Sequence, residues 1–234
     1  MKLTIIQTGE LAQPLRDRFG SYSAMFERMF DATGLGFSYE IVRVFDGAPL
    51  PDPAKLEGIV ITGSAAGVYD DLPWMEPLRQ FIRTAYAKKI RMLGICFGHQ
   101  IMADALGGDV RKSDKGWGLG RHVYTVQHRP GFMASAPGTL AVACSHQDQV
   151  IVPPPEAEVI LASEFTPNAG LAYKNGAALS FQPHPEFLDD YTLALAEMRR
   201  GKASDQTIEE ALASVATPSD SAAMAEYIGR FFKG

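Results

Sequence analysis

One stretch, Gly94-Ile95-Cys96-Phe97-Gly98-His99-Gln100, constrains this chain more than any other. Residues 90–95 before it are short and apolar and read as a buried strand. Residues 97–106 after it have helical periodicity and stop at Gly107-Gly108. A strand that passes straight into a helix, with one residue between two glycines at the junction, is a turn too tight for bulky flanking side chains. Such a strand needs parallel neighbours to cover its backbone and helices to cover both its faces.

The first half of the chain supplies them. Residues 3–7, 37–45 and 58–62 read as strands, and 21–33 and 73–88 as helices. Ser21 is the expected N-cap of the first helix and Gly34 its stop, and Pro73 is expected in the first turn of the second. Strands alternating with helices predict an α/β fold: a flavodoxin-like open sheet, mainly parallel, with helices on both faces. After Gly108 the pattern changes. Residues 110–112, 121–127, 139–144, 158–163, 170–174 and 177–181 read as strands with no long helix between them, as expected of a small antiparallel ribbon and closing strands. Extra C-terminal helices follow at 191–200, 205–215 and 219–232, punctuated by Gly201 and Pro218. With no repeat and no linker, residues 1–234 read as a single domain, with 188–217 as an additional helical segment.

Composition removes several classes of function. A net charge of −5 without a basic stripe argues against nucleic-acid binding. No run approaches the ~18–20 apolar residues that cross a bilayer, and the apolar start at Leu3 is too brief for a secretory signal. Two cysteines, Cys96 and Cys144, suit a reducing compartment rather than a disulfide scaffold, so the expected location is cytoplasmic. Cys144 ends an apolar run and is expected to be buried and inert. No cluster has metal-ligand spacing, so neither metal nor cofactor is expected. Gly116-Trp117-Gly118 opens a strand rather than a helix and is no dinucleotide fingerprint, which leaves Trp117 as core or pocket wall.

The chemistry concentrates at Cys96. A cysteine at a helix N-terminus faces partial positive charge, which favours thiolate, the reactive form. A thiolate nucleophile needs a base that also protonates the leaving group. Of the five histidines, His184 stands apart. It follows an apolar strand, and Pro183 and Pro185 hold its segment extended. His184 and Glu186, two apart, then lie on one side of the chain, where Glu186 can accept the second imidazole N–H and set the tautomer. His99 is expected to pack or hydrogen-bond locally. His146 pairs in the sequence with Asp148 in a loop and is a further candidate for a site role.

Gly94–Gln100 together with His184-Pro185-Glu186 resembles the triad signature of the class I glutamine amidotransferases. Ile59-Val60-Ile61-Thr62-Gly63-Ser64 resembles that family's oxyanion loop, and Ser145-His146-Gln147-Asp148 a segment near its bound glutamine. Order and spacing match over roughly residues 40–187. The resemblance implies Cys96 as nucleophile, His184 as base and acid, and Glu186 as its support. It implies an oxyanion hole from backbone at Gly63, Ser64 and Phe97. It implies a substrate site at Gly94, Gly98, Gln100, Ser145, His146 and Gln147. Where the family often has two successive glycines in the oxyanion loop, this chain has Ser64 at the second position.

The function implied is hydrolysis of the glutamine side-chain amide through a γ-glutamyl thioester, releasing ammonia. Among the family's members the resemblance is nearest to the glutaminase portion of guanosine monophosphate synthetase. No Gly-x-x-x-x-Gly-Lys-Ser/Thr phosphate loop occurs in the chain and no room is left for a synthetase domain, so the expected partner is a separate synthetase subunit or none. One alternative is a γ-glutamyl peptidase, which attacks the same carbonyl with a larger leaving amine. Another is a non-catalytic regulatory module, against which all three triad members stand. The 188–217 segment would cover the site, contact a partner or form a homodimer surface.

Overall fold

The apolar runs of the first half carry few polar residues because each strand feeds two cores at once. The computed structural model describes all 234 residues. In chain order the elements are β1 (Lys2–Gln7), α1 (Gln13–Phe19), α2 (Tyr22–Ala32), β2 (Ser38–Arg43), β3 (Gly58–Ile61), α3 (Met75–Ala87), β4 (Arg91–Ile95), α4 (Phe97–Ala105), β5 (Asp109–Lys112) and β6 (Gly118–Val126). They continue with β7 (Thr139–His146), β8 (Asp148–Val152), β9 (Ala157–Ala162), β10 (Gly170–Tyr173), β11 (Ala178–Phe181), α5 (Asp189–Glu197), α6 (Asp205–Ser214) and α7 (Ser221–Lys233). Leu3, Ile5, Val60, Leu93 and Leu179 pack with Phe26 and Phe30 of α2 and Ile228 and Phe232 of α7. Their neighbours Ile6, Ile59, Met92 and Ala178 pack on the other face with Leu78 and Ile82 of α3 and Ile101 and Met102 of α4. The period of two thus buries both faces of the sheet.

The main sheet has the order β2-β1-β3-β4-β11-β10-β9-β6-β7. From β2 to β11 the strands are parallel, and from β11 to β7 each is antiparallel to the next. β5 and β8 form a separate two-stranded antiparallel ribbon. The expected α/β sheet with helices on both faces is therefore present. Its antiparallel part is larger than a ribbon: four strands extend the main sheet itself.

Three local expectations are corrected. Pro73 precedes α3 instead of entering its first turn. Residues 72–75 form a turn closed by Met75 N–H to Leu72 O (3.0 Å), and Trp74 is the N-cap. Helix α1, anchored by Leu15 and Phe19, was not anticipated, nor was β8, which follows β7 after Gln147 alone. By contrast Ser21 caps α2 as expected, accepting from Ala24 N–H.

The helical segment after β11 is bolted to β6. A Cβ on Gly120 (φ +80°) would stand 2.5 Å from Ala211 O and Ser214 Oγ, so α6 lies directly on strand backbone. The neighbouring Arg121 is buried. Its backbone N–H donates to Ser214 Oγ (2.8 Å), and its guanidinium to Val215 O (2.7 Å), Thr217 O and the Asp189 carboxylate. One cation thereby ties both ends of the segment to the sheet. No helix is long and apolar enough to cross a membrane.

Candidate active site

Cys96 lies between β4 and α4 with φ +52° and ψ −104°, a region a side chain rarely adopts and which costs ~1–3 kcal/mol. Surrounding hydrogen bonds impose it: Cys96 N–H donates to Phe181 O (2.8 Å) and Gly98 N–H to Thr62 O (3.1 Å). The flanking glycines are dictated by close backbone approach. A Cβ on Gly94 would stand 2.4 Å from Gly98 O, and one on Gly98 would stand 2.2 Å from Ile61 O. Packing accounts for both, and neither lines the cavity where the resemblance had put substrate contacts. Gly98→Ala is expected to lose at least ~2 kcal/mol of stability in urea denaturation, because the obstructing atom belongs to strand β3 and cannot rotate away. An unchanged midpoint would contradict this packing account.

His184 leaves the end of β11 and is held from three sides. Its N–H donates to Ala143 O of β7 (2.8 Å). Its Nδ1 lies 2.7 Å from Glu186 Oε1, with the glutamate side chain fully buried. Its ring stacks on Phe187 at 3.8 Å with planes 8° apart. With Nδ1 engaged, Nε2 is the nitrogen left for Cys96. The two side chains flank Gly63: the point where a Cβ of Gly63 would stand is 3.2 Å from His184 Cε1 and 3.8 Å from Cys96 Cβ. Burial works against the imidazolium, but the charges of Glu186 and then Cys96, with the hydrogen bonds both make to the ring, outweigh it and push His184 up to about 10.

The Gly63-Ser64 turn packs against this pair. Thr8 ties the turn to β1, its hydroxyl 3.1 Å from the carbonyl oxygens of Thr62 and Gly63. Ser64 is accommodated without loosening the turn. Its hydroxyl donates to Thr8 O (2.9 Å) and accepts from Ala66 N–H (3.2 Å). Gly9 makes the room, since a Cβ there would stand 2.9 Å from Ser64 Oγ. Phe97 is the first residue of α4, where backbone N–H groups lack intrahelical partners. The Gly63-Ser64 turn and the first residue of α4 thus both border Cys96.

Cys96 opens into a cavity of about 430 Å³, whose wall includes Ser64, Gln100, Ser145, His146 and Gln147. Gln100 is committed to the protein, its amide donating to Asp148 O (2.8 Å) and Gln182 Oε1 (3.1 Å). Ser145 Oγ has no partner. His146 ends β7 instead of lying in a loop, and it meets the Asp148 carbonyl (3.2 Å), not the carboxylate. Burial, followed by the neighbouring His122, pushes it down to about 3, so it is neutral at ordinary pH. The Asp148 carboxylate instead accepts from Tyr69 OH (2.9 Å).

His99 is buried against Ser180 Oγ (2.8 Å), and burial pushes it down to about 3. Cys144 is buried, and burial pushes its thiol up to about 12. Trp117 is pocket wall. The cavity also holds residues that no motif marked: Tyr69, Lys112, Arg199 and Lys202. Tyr22 was missed as well. Burial, and next the charge of Cys96, push its hydroxyl up to about 12. No group of three or more His, Cys, Asp or Glu side chains is arranged to hold a metal.

Comparison with known proteins identifies the family and the fold. The family model described as glutamine amidotransferase class-I matches residues 15–191. Gamma-glutamyl peptidase 5 of Arabidopsis thaliana is 31% identical over 181 residues, covering 74% of this chain and 70% of that protein. The glutamine-hydrolysing GMP synthase of Thermus thermophilus is 31% identical over 180 residues, covering 72% of this chain and 34% of that enzyme. A crystal structure of a glutamine amidotransferase from Thermotoga maritima superposes with a TM-score of 0.80 at 21% identity, covering 100% of this chain and 99% of that one, and shows the same fold.

Proposed function

The chain belongs to the class I glutamine amidotransferase family, and from that membership we propose that it hydrolyses γ-glutamyl amides through Cys96, His184 and Glu186. The observation that carries this reading is the buried His184–Glu186 pair, 2.7 Å apart, beside a cysteine held at φ +52°. Cys96 Sγ attacks the γ-carbonyl carbon. The oxyanion forms between the Phe97 N–H and the backbone of Gly63-Ser64, donors worth about 3–4 kcal/mol each in comparable sites. His184 Nε2 delivers its proton to the leaving nitrogen, the C–N bond breaks, and a γ-glutamyl thioester remains on Cys96. Water then attacks the thioester, His184 takes its proton, and glutamate leaves. Glu186 holds the ring throughout.

With glutamine as substrate the leaving group is ammonia, which passes to a separate synthetase subunit or is released. The relationship to a GMP synthase supports a synthetase partner. The second reading, a γ-glutamyl peptide as substrate, has its own support in the cavity. The cavity of about 430 Å³ continues past Cys96 to Tyr69, Trp117 and Arg199, so its wall extends beyond the residues beside the nucleophile. A peptidase is also among the relatives.

The reading is tested by measuring ammonia release from glutamine beside glutamate release from a γ-glutamyl dipeptide. In parallel, the protein is treated with a diazo-ketone glutamine analogue and mapped by peptide mass. At least one activity and a label on Cys96 are expected. Neither activity, with no label, would overturn it.

A further inference from the structure

Lys112, Arg199 and Lys202 line the cavity with Cys96, and none of the three has an ion-pair or side-chain hydrogen-bond partner. Arg199 and Lys202 come from the tight turn between α5 and α6, where the Arg199 carbonyl accepts the N–H of both Lys202 and Ala203 (2.9 Å each). Arg200, on the outer side of the same turn, is neutralised by Glu197 and Glu209 at 2.5 and 2.8 Å. Arg200 is therefore paired on the outer side of the turn, while Arg199, half-buried, and Lys202, exposed at the cavity rim, are left without a partner. Arg199 lies with its guanidinium carbon 4.3 Å from the Trp117 ring centroid, and its Nε is buried without a partner. A guanidinium laid on an indole keeps its N–H donors in its own plane, free to grip a carboxylate by two parallel bonds.

The charge balance says which carboxylate. The cavity's two acidic residues are engaged, Asp148 with Tyr69 OH and Asp70 with Gly67 N–H (3.0 Å). A γ-glutamyl head carries one carboxylate and one ammonium and is neutral overall. Glutamine adds nothing to that. A γ-glutamyl amino acid adds one carboxylate, because its amine is consumed in the amide. Lys112, Arg199 and Lys202 are the wall's charged side chains left without a partner, and the added carboxylate of the second ligand suits them. We propose that Arg199, held over the Trp117 ring, and Lys202 bind a carboxylate on the leaving amine, so that the preferred substrates are γ-glutamyl amides of α-amino acids. This inference rests on the γ-glutamyl hydrolase reading and chooses between its two substrates. The bonds made and broken are those already described, with the leaving nitrogen departing as the amino group of a free amino acid.

The test compares γ-glutamylglycine with γ-glutamylglycinamide, which differ only in that carboxylate. Wild type is expected to favour the acid by at least ~10-fold in kcat/KM, the worth of a charge-assisted hydrogen bond. Arg199→Gln, and separately Lys202→Gln, is expected to bring the ratio towards unity, while Arg200→Gln keeps it. Equal turnover of the two compounds by wild type, or a preference that survives in the Arg199→Gln/Lys202→Gln double variant, overturns the inference but not the hydrolase reading. If wild type cleaves glutamine but neither compound, the inference is overturned and the hydrolase reading stands; if it also ignores glutamine and Cys96 takes no label, the hydrolase reading fails. Calorimetry on Cys96→Ala then decides the carboxylate site directly: tighter binding of the acid than of the amide supports it, and equal binding overturns it.

Discussion

Cys96→Ala is expected to lower turnover of whichever γ-glutamyl substrate is used by at least ~10³-fold, through kcat. Alanine cannot form the thioester, so only positioning and the oxyanion donors remain to assist direct attack by water. The effect is chemical, because alanine has the same difficulty at φ +52° and leaves the hydrogen bonds of the turn in place. Denaturation midpoints of variant and wild type are accordingly expected to agree closely. A variant that kept full turnover would remove Cys96 from the mechanism.

Glu186→Gln is expected to reduce kcat by roughly 10²–10⁴-fold, as loss of the orienting carboxylate does in related triads. The amide can turn its NH₂ towards Nδ1 and hold the wrong tautomer of His184. It also removes the largest influence that raises His184. The sign of the pH effect follows. In wild type the proton on His184 is held well above the ordinary range, up to about 10, so the alkaline limb of kcat/KM is expected there. In the variant that limb moves to lower pH. Stability follows the same linkage. The stabilisation from charging His184 is fully present below its ordinary ~6.5 and is lost as pH rises through about 10. This dependence is expected to flatten in Glu186→Gln. A pH profile and a denaturation series across that window check both, and a limb that stays in place would detach Glu186 from His184.

The features that could be read from residues alone are those in which backbone geometry dictates residue type. Gly94 and Gly98 are glycines because carbonyl oxygens occupy the space of their side chains. The buried strands are apolar throughout because both faces meet a core. His184 and Glu186 stand out because prolines shape their segment. What could not be read depends on contacts between distant parts of the chain. Gly9, in the loop after β1, makes room for Ser64. Residues 145–149 look like a loop around Asp148, yet they hold two strand ends separated by Gln147. Arg199 and Lys202 look like ordinary surface cations of a helical segment, and only the docking of α6 on Gly120 and Arg121 turns them towards Cys96. Pro73 shows the limit of local rules. Its fixed φ suits a first helical turn, but the turn at 72–75 delays the helix.

The pairing of β4 with β11 carries a kinetic consequence. Met92 lies opposite Ala178 and Ile95 opposite Phe181, so Cys96 and His184 meet only when two far-separated stretches dock as parallel neighbours. Contacts of this kind form slowly, because the intervening chain must be ordered before they yield any return. A nascent chain that has emerged as far as the elbow carries its cysteine without a base. On the proposed mechanism the thiol can act as a nucleophile only after the middle of the sheet has closed. Recovery of activity on refolding should therefore lag behind recovery of helical signal and report the closure of that central seam.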